Sequence, residues 1–237
     1  DNLAADGLGG PSVLVTGNTV VDAVLVRVRS LGPPARRALD QLAVVPSRVE
    51  LPVARALLGD LGSLAEAERL THTGSFALNA ARGGAAHVTA VDVSAQAVEM
   101  AKANAVRNGL DDKMDFVCTD VFDLLPSLCE QHADYDMIIL DPPAFTKSRK
   151  TISGAERGYK EINYRAMKLL PRGGYLATCS CSHFMDNRLF VRMLESAAAD
   201  ADVSLKLIEV RRQSPDHPTL LSVPETDYLK FYLFQVI

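Results

Sequence analysis

Tyr135-Asp136-Met137-Ile138-Ile139-Leu140-Asp141-Pro142-Pro143-Ala144-Phe145 reads as a buried strand that ends in an acid. The apolar run has strand length, and two prolines then stop it abruptly. In an open α/β sheet, ligands bind outside the carboxyl ends of the strands, so Asp141 is expected in a crevice and not in a core. Forty residues on, Gly173-Gly174-Tyr175-Leu176-Ala177-Thr178-Cys179-Ser180-Cys181-Ser182 repeats the pattern with a thiol at the tip. An acid and a cysteine at neighbouring strand tips suggest covalent chemistry on an electron-poor ring. Cys179 and Cys181 lie two apart and share a face. Cys181 is nearer the carboxyl end and is the better nucleophile, whereas Cys179, Cys118 and Cys129 read as structural thiols.

Outward from these two strands the chain alternates strand and helix from residue 72 onward. Residues 74–82 read as a helix and 87–93 as a strand. Ser94 caps a helix that stops at Gly109. Residues 114–118 read as a strand, 121–129 as a short helix and 135–140 as a strand. A helix over 156–170 carries Tyr159, Ile162, Asn163, Ala166, Leu169 and Leu170 on one face. A strand over 174–181, a helix over 187–199 and strands over 204–211 and 227–236 complete the pattern. The expected class is α/β, a doubly wound, mainly parallel sheet with an antiparallel C-terminal edge. Residues 1–70 differ: 12–15 reads as a strand running into a turn at Thr16-Gly17-Asn18-Thr19 and an apolar helix through residue 28. Residues 36–70 read as mostly helical after a Leu31-Gly32-Pro33-Pro34 linker.

Hydrophobic residues make up 48% of the 237 and charged residues 23%, the balance of a globular chain. No apolar run reaches the ~18 residues of a membrane span, and no basic leader precedes an apolar segment. The four cysteines lack CxxC spacing and partner histidines, which argues against a metal site and a disulfide scaffold and fits a reducing cytoplasm. A net charge of −4 argues against nonspecific binding of nucleic acid. A local basic run, Lys147-Ser148-Arg149-Lys150 followed by Arg157 and Lys160, reads either as a solvated loop or as a phosphate contact beside Asp141.

Asp92 ends a strand ahead of a capped helix, where an acid can accept both hydroxyls of a nucleoside ribose. Asp120 holds the same place on the next strand, where an acid can accept an adenine amino group. The alternative for each is a capping or surface acid. Thr73-Gly74-Ser75-Phe76 opens a helix, and its glycine permits close approach of a carboxylate or phosphate to the helix N-terminus. A GxGxxG pattern is absent, which lowers the case for a nicotinamide enzyme.

Together these residues resemble class I S-adenosylmethionine-dependent methyltransferases, and more narrowly the family that makes 5-methylcytosine in large-subunit ribosomal RNA. The matching segments are Thr73-Gly74-Ser75-Phe76, Ala80-Ala81-Arg82-Gly83-Gly84-Ala85, Val91-Asp92-Val93-Ser94, Asp141-Pro142-Pro143-Ala144-Phe145, Arg157-Gly158-Tyr159-Lys160-Glu161-Ile162-Asn163, Ser180-Cys181-Ser182 and Asp216-His217-Pro218. The resemblance implies a Rossmann-like domain over 71–237 with S-adenosyl-L-methionine as cofactor and RNA as partner. It assigns the cofactor to Thr73, Gly74, Ser75, Phe76, Asp92, Val93, Asp120, Val121, Asp141 and Pro142. Cys181 would attack C6 of a cytosine and Asp141 would meet its N3/N4 edge. Attack requires the thiolate, so a lowered thiol pKa or a nearby base is expected. Phe145 and Tyr159 would stack on the base, and Lys147, Arg149 and Arg157 would hold phosphates.

The family places an apolar strand just before Thr71, but Leu64-Ala65-Glu66-Ala67-Glu68-Arg69-Leu70 reads as helix. Its N-terminal RNA-binding domains are also not recognisable, and 1–70 is an atypical segment. Val15-Thr16-Gly17-Asn18-Thr19-Val20-Val21-Asp22-Ala23 is instead similar to a piece of a UDP-N-acetylglucosamine 2-epimerase. The strand starting at Ser12 is expected to fill the empty slot. Two other functions stay open: a noncatalytic remnant that binds nucleoside or RNA weakly, and a nucleotide-sugar enzyme.

Overall fold

A computed structural model describes residues 12–17, 74–146, 148–213 and 218–237. The helices expected over 17–28 and 36–70 lie outside these residues, as do Thr73, Lys147, Asp216 and His217. Seven strands form one sheet: β1 Ser12–Gly17, β2 His87–Asp92, β3 Met114–Cys118, β4 Met137–Asp141, β5 Tyr175–Ser180, β6 Leu205–Arg211 and β7 Lys230–Val236. Among the described residues five α-helices are interspersed: α1 Ser75–Arg82, α2 Ala95–Asn108, α3 Val121–Glu130, α4 Ile152–Lys168 and α5 Asn187–Ala201. The spatial order is β3-β2-β1-β4-β5-β7-β6. Strands β1 to β5 pair in parallel, and β7 runs antiparallel between β5 and β6.

The centre of the sheet is β1. Ser12 pairs with His87 on one side, and Val13 pairs with Met137 on the other. Without β1, the facing edges of β2 and β4 would have unpaired N–H and C=O groups. The chain reverses its winding here, and at such a switch point a doubly wound sheet opens its ligand crevice. Gly17 lies in register with Asp141, so β1 and β4 end level at that crevice.

Strand alternation divides the core into two layers. Ile138, Leu140, Leu176 and Tyr232 face α4 and α5 in the larger cluster, with Ile162, Phe190 and Met193. Ile139, Val88, Ala90 and Ala177 face the other way onto Ala77, Ala81 and Ala105 of α1 and α2. This second layer is rich in alanine, so its helices sit close to the sheet. The two helices also sit close to each other: Gly74 has φ 89°, and a Cβ there would come within 2.8 Å of Ala101 Cβ on α2. The glycine is therefore required for backbone shape and for packing of α1 on α2.

Local signals fix the helix ends. Ser94 Oγ accepts from Ala97 N at 3.3 Å, and Gly109 closes α2 in the left-handed region at φ 63°. Asp120 Oδ1 and Asp186 Oδ1 accept from Phe122 N and Leu189 N to cap α3 and α5. Helix α4 starts earlier than its apolar face alone indicates, because a short 3-10 turn at Arg149–Thr151 leads into it. Thr146 Oγ1 and Thr151 Oγ1 share a 2.7 Å hydrogen bond that closes this turn.

Candidate active site

Asp141 is the last residue of β4, but at 2% exposed it is buried and does not stand open in a crevice as the sequence suggested. Cys181 follows the last residue of β5 and is half-buried. Because β4 and β5 are neighbours, their tips share one side of the crevice. Ser182 Oγ donates to Thr146 O at 2.8 Å, which ties the Ser180-Cys181-Ser182 turn to the Asp141-Pro142-Pro143-Ala144-Phe145 loop. The electrostatics agree with the geometry. Burial pushes the Cys181 thiol up, the Asp141 carboxylate pushes it further, and Lys230 acts in the opposite direction. The simple expectation of a depressed thiol is thus not met by the net environment. A cation does stand beside it, however.

Lys230 opens β7 opposite Ser180 and is 7% exposed. Its Nζ donates to Ser182 O at 2.6 Å and to Tyr228 O at 2.7 Å. Burial pulls the ammonium down to about 8, while Cys181, Asp227 and Asp186 oppose that fall. Sequence reading passed over this residue. The available signal was a lysine beside Leu229 and Phe231 at the start of an otherwise apolar strand.

Phe145 is half-buried, packed between Phe122 (centroids 5.7 Å apart) and Tyr159 (4.6 Å). Gly158 leaves room for it: a Cβ there would meet Phe145 Cδ2 at 3.2 Å. Tyr159 does not have the expected place. It is 0% exposed, lies edge-on to Phe190, and its Oη accepts from Ser180 Oγ at 3.1 Å. The face of α4 that carries it turns into the core, so Tyr159 supports Phe145 from behind and does not reach a base. Arg149 and Arg157 are exposed, one on the turn before α4 and one on α4 itself. Lys160 pairs with Asp200 at 2.7 Å.

At the other end of the crevice, Asp92 Oδ1 accepts from Ser94 N at 2.8 Å. Asp92 and Asp120 therefore both cap local structure, using Oδ1 in each case, and Oδ2 takes no part in those bonds. Thr119 N donates to Asp92 O at 3.1 Å, and Cys118 Sγ to Val93 O at 3.6 Å, which joins the tips of β2 and β3. Val93, beside Asp92, is 72% exposed, and Phe122, two residues past Asp120, is also exposed. Val121 is half-buried at the start of α3. Apolar surface between two carboxylates fits the adenine and ribose of an adenosyl group. The N-terminus of α1, capped by Gly74 without a side-chain acceptor, fits its carboxylate. Ser75 is buried there, and Phe76 is half-buried. Pro142 is buried behind Asp141. Among the described residues, no group of His, Cys, Asp and Glu is arranged to hold a metal ion.

Residues 65–235 match the profile of the S-adenosylmethionine-dependent methyltransferases. The chain belongs to that family. As a class I methyltransferase it uses S-adenosyl-L-methionine, and its sheet has the Rossmann-like form of the class. It is 46% identical over 167 residues to the "Ribosomal RNA large subunit methyltransferase I" of Pseudoalteromonas translucida, covering 70% of this chain and 42% of that protein. The protein of the same description from Klebsiella pneumoniae is 43% identical over 168 residues, with the same coverage. The methyltransferase chain described here thus spans less than half the length of these curated relatives. Among solved structures, SMU.776, described as a methyltransferase complexed with SAH, superposes with a TM-score of 0.61 at 21% identity. The match covers 73% of this chain and 49% of that one. A Streptococcus mutans protein described as a SAM-dependent methyltransferase gives 0.61 at 24% identity, covering 69% and 42%. These two likenesses establish the fold. The segment matched by the profile begins after β1, so the methyltransferase sheet takes its central strand from outside it. No helix among the described residues is long and apolar enough to cross a membrane.

Proposed function

We propose that this chain is the catalytic part of an RNA methyltransferase that modifies C5 of a cytosine in large-subunit ribosomal RNA through a covalent bond to Cys181. The observation that carries the reading is the pairing of Asp141 and Cys181 at adjacent strand tips, with their loops joined by Ser182 Oγ and Thr146 O. An acid and a thiol held together in a half-buried crevice suit addition to a pyrimidine better than methylation of an exposed amine, which needs no nucleophile. The names of the curated relatives support ribosomal RNA as substrate.

In this reading a cytosine leaves its stack and enters the crevice. The Cys181 thiolate attacks C6, and the C5–C6 electron pair becomes available at C5. Asp141 meets the N3/N4 edge, where the adduct gains electron density. Asp92, Val93, Asp120, Val121 and the start of α1 at Gly74 and Ser75 would hold S-adenosylmethionine, which would supply the methyl group for C5. Water then takes the C5 proton, and the electron pair left at C5 reforms the C5–C6 double bond and expels the Cys181 sulfur as thiolate. Phe145 offers a ring surface at the crevice wall, and Arg149 and Arg157 offer charge to phosphates on its rim. The product differs from the substrate by one methyl group in place of one hydrogen, so the enzyme returns to its starting state.

The test is to incubate the protein with large-subunit ribosomal RNA and methyl-labelled S-adenosylmethionine, then digest the RNA and identify the labelled nucleoside. The expected product is 5-methylcytidine. Cys181→Ala should lose it while binding S-adenosylmethionine with unchanged affinity by calorimetry. An active Cys181→Ala variant, or label on a nitrogen, would sink the reading.

A further inference from the structure

The geometry points to Lys230 as the cationic partner that stabilises the Cys181 thiolate when the thiol ionises. This inference deepens the proposed function and rests on it for the role of Cys181.

Lys230 is almost fully buried, and a buried ammonium is costly unless something compensates its charge. Among the described residues no carboxylate lies within ion-pair distance of its Nζ. Two backbone carbonyls take two of its three N–H bonds, and one of them belongs to Ser182, the residue after Cys181. The antiparallel register sets Lys230 opposite Ser180, the residue before Cys181. The ammonium is thus fixed at the carbonyl that follows the sulfur, while the backbone of Lys230 pairs with the residue that precedes it. A purely structural anchor for the Ser182 carbonyl could have been a neutral donor.

The charged neighbours can be named. Cys181 faces Asp141 from β4, Tyr159 from α4 and Lys230 from β7. Lys230 faces Asp186, at the cap of α5, and Asp227, just ahead of β7. His183 follows two residues after the thiol, packed edge-on against Phe184. Of the side chains acting on the Cys181 thiol, Asp141 raises its pKa and Lys230 lowers it. On activation the S–H bond breaks, the electron pair stays on sulfur, the proton leaves to solvent, and Lys230 keeps its own. Thiolate and ammonium then neutralise each other as the incoming base displaces water.

The experiment reads the thiol itself, with neither RNA nor cofactor. Alkylation of Cys181 by iodoacetamide is followed by peptide mass spectrometry against pH in the full chain. The set comprises wild type, Lys230→Met, Lys230→Arg and, as a control, the exposed Lys206→Met. Buried Cys179 reports on the fold, because it stays unreactive while the sheet is closed. Lys230→Met is expected to move the Cys181 midpoint up by about one pH unit, a roughly tenfold loss of rate near neutral pH. Lys230→Arg should hold it near the wild-type value, and Lys206→Met should leave it unchanged. A wild-type profile in Lys230→Met, with Cys179 still protected, overturns the pairing. If Lys230→Met exposes Cys179, the arginine variant decides: a retained midpoint supports the pair, and a raised one overturns it. If the shift is seen but no 5-methylcytidine forms, the proposed reaction has failed and the ion pair stands.

Discussion

Ser180 Oγ donates to Tyr159 Oη at 3.1 Å, so the middle of α4 is bonded to the tip of the strand that presents Cys181. The same Oγ accepts from Ser182 N at 3.3 Å, which carries the restraint past the thiol. Helix α4 thereby restrains the turn that carries Cys181, although its tyrosine is fully buried.

Removing that hydroxyl has a signature in stability. Burial pushes the Tyr159 phenol up to about 12, against an unfolded value of 10.0. The group therefore contributes stability that is complete below about pH 10 and is lost as pH rises toward 12. Two units correspond to about 3 kcal/mol at most. Tyr159→Phe should be less stable than wild type at neutral pH by about 1 kcal/mol, the worth of one buried hydrogen bond. The gap should close or reverse in urea melts taken between about pH 10 and pH 12.

Asp141→Asn separates reactivity from catalysis. The Asp141 charge raises the Cys181 thiol, so its removal should move alkylation of Cys181 to lower pH. In the proposed reaction methyl transfer should nevertheless fall by about 10²-fold to 10⁴-fold, because the cytosine edge would lose its partner. A variant that keeps wild-type transfer rates would remove Asp141 from the reaction.

Leu14→Pro tests the central strand through its backbone alone. Leu14 has Thr89 on one side and Ile138 on the other. A proline there leaves a ladder acceptor without its donor and should cost at least about 2 kcal/mol. Ser12→Pro, at the first residue of the strand, should cost much less. Thermal unfolding of the two variants gives the comparison, and equal melting temperatures would argue against β1 pairing along both edges.

Arg149 and Arg157 should act through phosphate charge. Replacing either with alanine should weaken binding of single-stranded RNA and flatten the plot of log affinity against log salt by about 0.7 for each phosphate left without its cation. Fluorescence anisotropy across a potassium chloride series measures both. An unchanged slope would return these side chains to the solvated surface.

Much of this architecture could be read from local chemistry. Ser94 and Gly109 bracket α2 because a hydroxyl acceptor and a residue free to take positive φ are what helix ends require. Asp141 and Cys181 could be paired from the sequence because strand tips in a doubly wound sheet share one edge. Tyr159 misled, because i, i+3, i+4 spacing marks a buried face and a stacking role cannot coexist with complete burial. Gly74 carried a packing demand from Ala101, a partner that lies across a helix interface and has no signature beside the glycine. Lys230 was missed for a similar reason. Its significance comes from antiparallel register with β5, which places it beside a residue some fifty positions earlier.

The sheet is completed by a strand whose every partner lies far along the chain, Ser12 with His87 and Val13 with Met137. Closing so wide a loop is entropically slow, so β2 and β4 must wait as two open edges for one short segment to arrive. The connection is also long enough that the segment arriving first can belong to another molecule. Strand exchange between copies is therefore the natural failure of this fold, and crowded refolding should yield intertwined dimers in which each subunit borrows its keystone from the other.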